Sequence, residues 1–289
     1  MWIWMTLASA LLLGIYDVAK KKALEKNGVY YVLLVATALT TLFLCPFLKA
    51  GPVRHFLCIG VKSVLVTASW VAGMYGLKLL PITTVSTLKA SRPMFVVLFS
   101  ILLFGERLDW LQWIGVVTVL AALWLLSRSS AKEGIRFSSS KGFWAMVVSI
   151  FAGVASALFD KWILNGMGME PLFVQSWTNC FITVILAVII AIQALHDGPE
   201  KRARFKWDWL LVLIAVFITA ADALYFFALK QPDALLSVIS LIRRSSVIVT
   251  FALGAWLFKD RNVRDKALIM ALLLAGIVLL AVSSLQPVS

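Results

Sequence analysis

The sequence predicts an all-α polytopic membrane protein, with ten transmembrane helices arranged as two inverted five-helix repeats. Three observations carry that reading. Of 289 residues, 62% are apolar and only 14% are charged. A soluble protein of this size needs a polar skin that such a composition does not supply. The apolar residues fall into ten runs of about 18 to 26 residues, each long enough to cross a bilayer as a helix. A charged, Ser-rich stretch, RSSAKEGIRFSSSKG, then separates five runs from five.

In chain order the runs are 2–20, 29–48, 56–78, 82–104, 110–127, 142–164, 171–194, 208–229, 233–258 and 266–284. They are continuously apolar and do not alternate, which excludes a β-barrel. The first run, MWIWMTLASALLLGIY, lacks the positive start and the small-residue cleavage site of a signal peptide, so it is expected to be retained as a helix. Most connections are short, which makes neighbouring helices antiparallel. Residues 1–127 then form the first repeat, 128–141 a cytoplasmic linker and 142–289 the second repeat.

The halves are alike in sequence. FGERLDWLQWIGVVTVLAALWLL at 104–126 aligns without a gap with FKDRNVRDKALIMALLLAGIVLL at 258–280. Phe104, Glu106 and Arg107 correspond to Phe258, Asp260 and Arg261, and Asp17 in GIYDVAKK pairs with Asp160 in ALFDKWIL. Five helices is an odd number, so the second copy enters the membrane upside down. That is the inverted-repeat plan of many secondary transporters.

The net charge of +13 belongs to the loops. Of 27 basic residues, 17 lie in loops 1–2, 3–4, 5–6, 7–8 and 9–10 or at their margins, and five on the opposite side. The positive-inside rule makes the first side cytoplasmic and both termini extracytoplasmic, in a multi-pass protein of the cell's inner membrane. Trp2, Trp4, Trp110, Trp113, Trp207 and Trp209 sit near helix ends, as interfacial belt residues do. No nucleic-acid motif accompanies the charge, so lipid headgroups are the expected partner and nucleic acid is not. Cys45, Cys58 and Cys180 are odd in number and have no CxxC spacing, and His55 and His196 fall in loops. No metal or other cofactor is therefore expected. The chain has no GxxxxGK[ST] and no triad-like or HExxH arrangement, so neither ATP-driven transport nor an enzyme is indicated.

Five basic residues remain inside the runs: Lys62, Lys89, Arg92, Arg243 and Arg244. Each costs at least about 2.5 kcal/mol near the bilayer centre, so each needs a reason. Lys62 is close enough to a helix end to snorkel. Lys89 and Arg92 share a face near the middle of the fourth run, and Arg243 and Arg244 lie at a similar depth in the ninth. Those two runs are repeat mates. Pro93 removes an N–H and frees the Lys89 carbonyl, so the fourth helix is expected to kink there. Ser237, Ser240, Ser245 and Ser246 accompany the arginines. They either bind ligand or pack helices closely.

Asp222 is the one acid deep in a run and a partner for Arg243 or Arg244. Asp17 and Asp160, beside Lys20, Lys21 and Lys161, read as interfacial ion pairs or as proton-coupling groups. About three cations are then left unmatched, and a negatively charged ligand would relieve them. Tyr75, Trp177 and Tyr225, with Trp70, either line the cavity or pack helices. Gln175, Thr178 and Asn179, and Thr37, Thr40 and Thr41, form polar stripes open to the same two readings.

The two five-helix halves and the GERL-then-apolar-helix pattern resemble the EamA family of the drug/metabolite transporter superfamily, over nearly the whole chain. The second half is degenerate, with Lys259-Asp260-Arg261 in place of Gly-Glu-Arg. The resemblance implies a secondary transporter of a metabolite, and it favours cytoplasmic termini where the loop charge favours the reverse. The Arg243-Arg244 pair also looks similar to the basic pair on the ninth helix of triose-phosphate translocators. The combined expectation is alternating-access transport of a small organic anion or zwitterion bearing a carboxylate or phosphate. Arg92, Arg243 and Arg244 would hold it, supported by Lys89 and Ser240. A flippase for a phosphorylated lipid carrier and a non-transporting membrane scaffold are the alternatives, and a second copy of the chain is an open partner.

Overall fold

The computed structural model describes residues 2–92, 94–95, 110–196, 205–229 and 242–283. Every long element among them is an α-helix. They are α1 (Trp2–Ala23), α2 (Val29–Phe43), α3 (Val53–Leu79), α4 (Ile82–Ala90), α5 (Trp110–Ala131), α6 (Lys141–Lys161), α7 (Pro171–His196), α8 (Trp209–Leu229), α9 (Ser246–Phe258) and α10 (Val263–Ser283). Among the described residues, each apolar run overlaps one of these helices. The described parts of α1, α3, α5 and α7 include spans long and apolar enough to cross a membrane. The chain is a multi-pass membrane protein, and its exposed Leu, Val, Ile and Trp side chains are the lipid-facing surface. Trp4, Trp110, Trp113, Trp207 and Trp209 are all exposed, as belt residues must be.

The structure departs from the sequence reading at points where the apolar runs are not continuous α-helix. The second run stops at Phe43 and continues as a 3₁₀ turn over Cys45–Phe47, because Pro46 has no N–H to extend the α ladder. The sixth run ends in a π turn, Trp162–Gly166.

In the fourth run the helix Ile82–Ala90 ends in a turn at Ser91, and the described residues 92, 94 and 95 are again helical. The Ser91 N–H donates to Leu88 O at 3.1 Å, the Ser91 hydroxyl donates to the same carbonyl at 2.7 Å, and Met94 N–H donates to Ser91 O at 3.1 Å. Pro93 lies outside the described residues, but its chemistry accounts for a break just before it. The ninth run is interrupted in the same way. Ser245 N–H donates to Ile242 O at 3.0 Å, its hydroxyl to that carbonyl at 2.6 Å, and Ile248 N–H to Ser245 O at 2.9 Å. No proline stands there; a serine hydroxyl competing with the ladder suffices. Ser91 and Ser245 are separated by the same interval as Phe104 and Phe258.

The packing is paired. α3 lies along α6, where the Ser69 and Ser149 hydroxyls each donate to the other's carbonyl at 2.8 and 2.7 Å. α1 lies along α8, and Ser9 Oγ donates to Ala221 O at 2.6 Å. α5 packs on α10, α2 on α7, α4 on α9, and α3 meets α7 as α2 meets α8. Small residues and hydroxyls at these contacts let backbones approach, which is how helices associate when lipid offers no hydrophobic drive.

The described parts of loops 1–2, 3–4, 5–6, 7–8 and 9–10 gather at one end. Lys26 bonds Asp208 at 2.8 Å, and Asn27 Nδ2 and Oδ1 bond the Lys206 backbone at 2.9 and 2.8 Å. Lys132 bonds Asp265 at 2.8 Å. At the other end, Trp177 Nε1 donates to Lys49 O at 2.9 Å and Lys49 pairs with Glu170 at 3.7 Å.

Candidate functional site

The broken fourth and ninth runs meet inside the bundle, and their ends carry the cations. Arg243, in the helical residues 242–244 just before the Ser245 break, bonds the Asp222 carboxylate of α8 through Nη2. Its guanidinium stacks over the Tyr225 ring, 4.3 Å from the centroid. Gln175 of α7 donates to the other Asp222 oxygen at 3.0 Å. Asp222, Tyr225 and Arg243, read separately from the sequence, thus form one cluster. Gln175 belongs to it as the residue that completes the carboxylate's hydrogen bonds.

Lys89, at the end of α4, bonds both oxygens of Asp17 at 3.0 and 3.1 Å, and Lys20 reaches the same carboxylate at 2.9 Å. Lys20 also lies over the Tyr16 ring at 4.0 Å. Two sequence expectations change here. Lys89 is matched by Asp17 and does not add to the unmatched cations. Lys21, expected beside Asp17, instead donates to the carbonyls of Leu77 and Leu80, capping the end of α3.

Arg92 donates through Nη2 to Gly153 O on α6. A Cβ at Gly153 would stand 2.7 Å from Arg92 Cζ and 2.8 Å from Nη2, so a larger residue there would displace the guanidinium. Arg244 is different from all of these. Among the described residues it meets neither a carboxylate nor a hydrogen-bond acceptor, while Arg92 and Arg243 both stand close enough to act on its charge. Like charges in a partly desolvated space favour any anion that enters it.

The remaining expected residues separate. Tyr75 packs edge-on against Tyr30, with centroids 6.1 Å apart. Trp177 packs on Phe56 at 4.8 Å and anchors the 2–3 loop through Lys49, in an apolar cluster apart from the main core. Thr37, Thr41, Thr178 and Asn179 bond carbonyls of their own helices. Ser237, Ser240 and Pro93 lie outside the described residues, as does the Asp160 side chain. No group of three or more His, Cys, Asp or Glu able to hold a metal occurs among the described residues.

Sequence reasoning missed a second polar cluster, at the end that gathers the basic loops. Asp260 accepts from Thr83 N–H at 3.0 Å and from its hydroxyl at 2.7 Å, so the carboxylate sits at the positive start of α4. Lys266 Nζ reaches Thr83 Oγ1 at 3.3 Å and Glu133 Oε2 at 2.8 Å. The Lys266 side chain is 0% exposed and that of Glu133 5%. Loop charge in the sequence is here a buried clasp joining the two halves and the linker.

Residues 1–128 match the EamA-like transporter family. A curated protein of Arabidopsis thaliana, UDP-uronic acid transporter 1, is 25% identical over 207 residues, covering 65% of this chain. The match spans 63% of that relative's length. A solved crystal structure is similar with a TM-score of 0.61 and 15% identity, over 96% of this chain and 94% of the other. That likeness shows a shared fold.

Proposed function

We propose that this chain, EamA-like over residues 1–128, is a secondary transporter that carries an anionic metabolite across the membrane by alternating access. Arg244 is the observation that carries the reading: a guanidinium inside a helix bundle, flanked by Arg92 and Arg243 and met by no acid among the described residues. In this reading Arg244 and Arg92 hold the anionic group, Arg243 is held by Asp222, and Tyr225 supports it. The breaks at Ser91 and Ser245 supply the irregular backbone that transporters keep beside their binding sites. The relative named for UDP-uronic acid supports an anionic, sugar-like or phosphate-bearing substrate.

An inverted repeat is part of the proposal. Support comes from the matching hydrogen bonds at the two breaks and from the exchange of packing partners, α3–α6 for α1–α8 and α3–α7 for α2–α8. The end closed by Asp260, Thr83 and Lys266 would be the cytoplasmic one by the positive-inside rule, with the site then opening toward the other. A thermal-shift screen of the purified protein against UDP-glucuronate, glucuronate, inorganic phosphate and glutamate tests the function, because a ligand that binds only the folded state raises its apparent stability. A rise with one of these anions and none with the cation tetraphenylphosphonium is expected. Stabilisation by the cation alone would overturn the reading.

A further inference from the structure

A cavity of about 260 Å³ lies between α4, α5, α6 and the linker. Its wall is built from rings: Phe95, Trp124, Phe137, Phe143 and Phe151, with Phe137 stacked on Phe143 at 4.3 Å and Phe95 against Phe151 at 5.0 Å. The one hydroxyl on that wall, Ser91, is already donated to Leu88 O. No other polar group among the described lining residues can meet a polar ligand, and an apolar cavity takes apolar occupants in preference to water. Trp124 and Phe151 are exposed, so the opening faces the hydrocarbon of the bilayer and not an aqueous vestibule.

The mouth is cationic. Arg128 lies one turn beyond Trp124, and its guanidinium stacks on that indole 4.2 Å from the ring centroid. Stacking uses the guanidinium face and leaves its N–H edge for oxygens. Arg128 is exposed and has no acid partner among the described residues. Lys132, four residues on, is bonded to Asp265 instead. An alkyl-sized apolar slot open to lipid, with a guanidinium at its mouth that meets no acid among the described residues, matches one kind of molecule.

We propose that this cavity takes one acyl chain of an anionic phospholipid, whose phosphate is held at the membrane surface by Arg128. The inference rests on the chain being a multi-pass membrane protein and is independent of what it transports. Native mass spectrometry of the detergent-purified protein, titrated with dioleoylphosphatidylglycerol or dioleoylphosphatidylcholine, tests it. One lipid should be retained, with phosphatidylglycerol favoured about fivefold, the factor that one basic residue near the surface gives. Arg128→Gln, on the surface, should erase the preference and keep phosphatidylcholine retention. Val147→Trp, which fills the cavity, should lose both lipids; Leu123→Trp fills it from α5 if the first variant does not melt like wild type. A filled variant with wild-type melting and wild-type lipid retention would overturn the proposal. So would an Arg128→Gln protein that still prefers phosphatidylglycerol.

Discussion

The guanidinium of Arg243 is bonded to the Asp222 carboxylate, and the next residue, Arg244, meets no acid among the described residues. Successive residues on a helical turn point about 100° apart, so the two side chains face different neighbours. Arg243 turns to α8 and the Tyr225 ring, whereas Arg244 has Arg92 and Arg243 beside it. One dipeptide thus divides into a neutralised cation and one that a ligand anion would neutralise.

Breaking the neutralised pair leaves a partly buried charge alone. Arg243→Gln or Asp222→Asn should each destabilise the protein by about 3 kcal/mol, and the double variant should recover most of that loss. Melting curves in detergent measure it. Single variants as stable as wild type would mean that the ion pair does not hold α8 to the ninth run.

Gly153 leaves room for the Arg92 guanidinium. Gly153→Ala should push Arg92 from its place and weaken anion binding about tenfold, the effect of about 1.4 kcal/mol. Gly153→Ala with Arg92→Gln should bind no worse than Arg92→Gln alone. An additive loss in the double variant would show that the glycine acts elsewhere.

The Lys266–Glu133–Thr83–Asp260 clasp ties the start of α4 to the linker and to the start of α10 at the basic-loop end. Asp260→Asn and Thr83→Val should loosen it without emptying the anion site. Ser86, 1% exposed on α4, reports the opening. A Ser86→Cys protein should label several-fold faster with a membrane-impermeant maleimide applied from the basic-loop end once the clasp is weakened. Unchanged labelling would remove the clasp from the transport cycle.

At the same end, the Lys26 ammonium and the Leu210 N–H hold the Asp208 carboxyl below its usual range, and Asp208 holds Lys26 above its own. The acid's contribution is present above the ordinary carboxylate value of about 4 and fades as pH falls through the lower folded value. The lysine's is present below about 10.4 and fades as pH rises through its raised value. Lys26 is solvent-exposed, so the effect on stability is small and is best read directly. Carbon NMR of Asp208 should show a depressed titration that returns toward the ordinary range in Lys26→Gln.

The helical character of the apolar runs was legible because lipid imposes length and continuous apolarity on a span. The basic loops were legible too, since their charge collects at one end. Partner identity was not. Lys89 and Arg92 share a face in sequence, yet Lys89 finds Asp17 on α1 and Arg92 finds Gly153 on α6. Only tertiary packing decides between such neighbours. Lys266 counted as loop charge, and its burial follows from Glu133 folding over the start of α10. The break in the ninth run carried no proline signal, and the Ser91–Ser245 match appears only when hydrogen bonds are compared.

The central claim, that Arg244 holds the transported anion while Arg243 holds the fold, is tested most directly by transport in proteoliposomes. Wild type, Arg244→Lys, Arg244→Gln and Arg243→Gln/Asp222→Asn are compared, using whichever anion stabilises the wild-type protein most. Arg244→Lys keeps the charge but loses the planar fork that meets two oxygens, so its uptake should fall strongly. Arg244→Gln should abolish uptake, with a binding loss of about 2 to 5 kcal/mol and wild-type melting. The Arg243–Asp222 double variant should retain transport. Wild-type uptake by Arg244→Gln, or loss of uptake only in the double variant, would contradict the account.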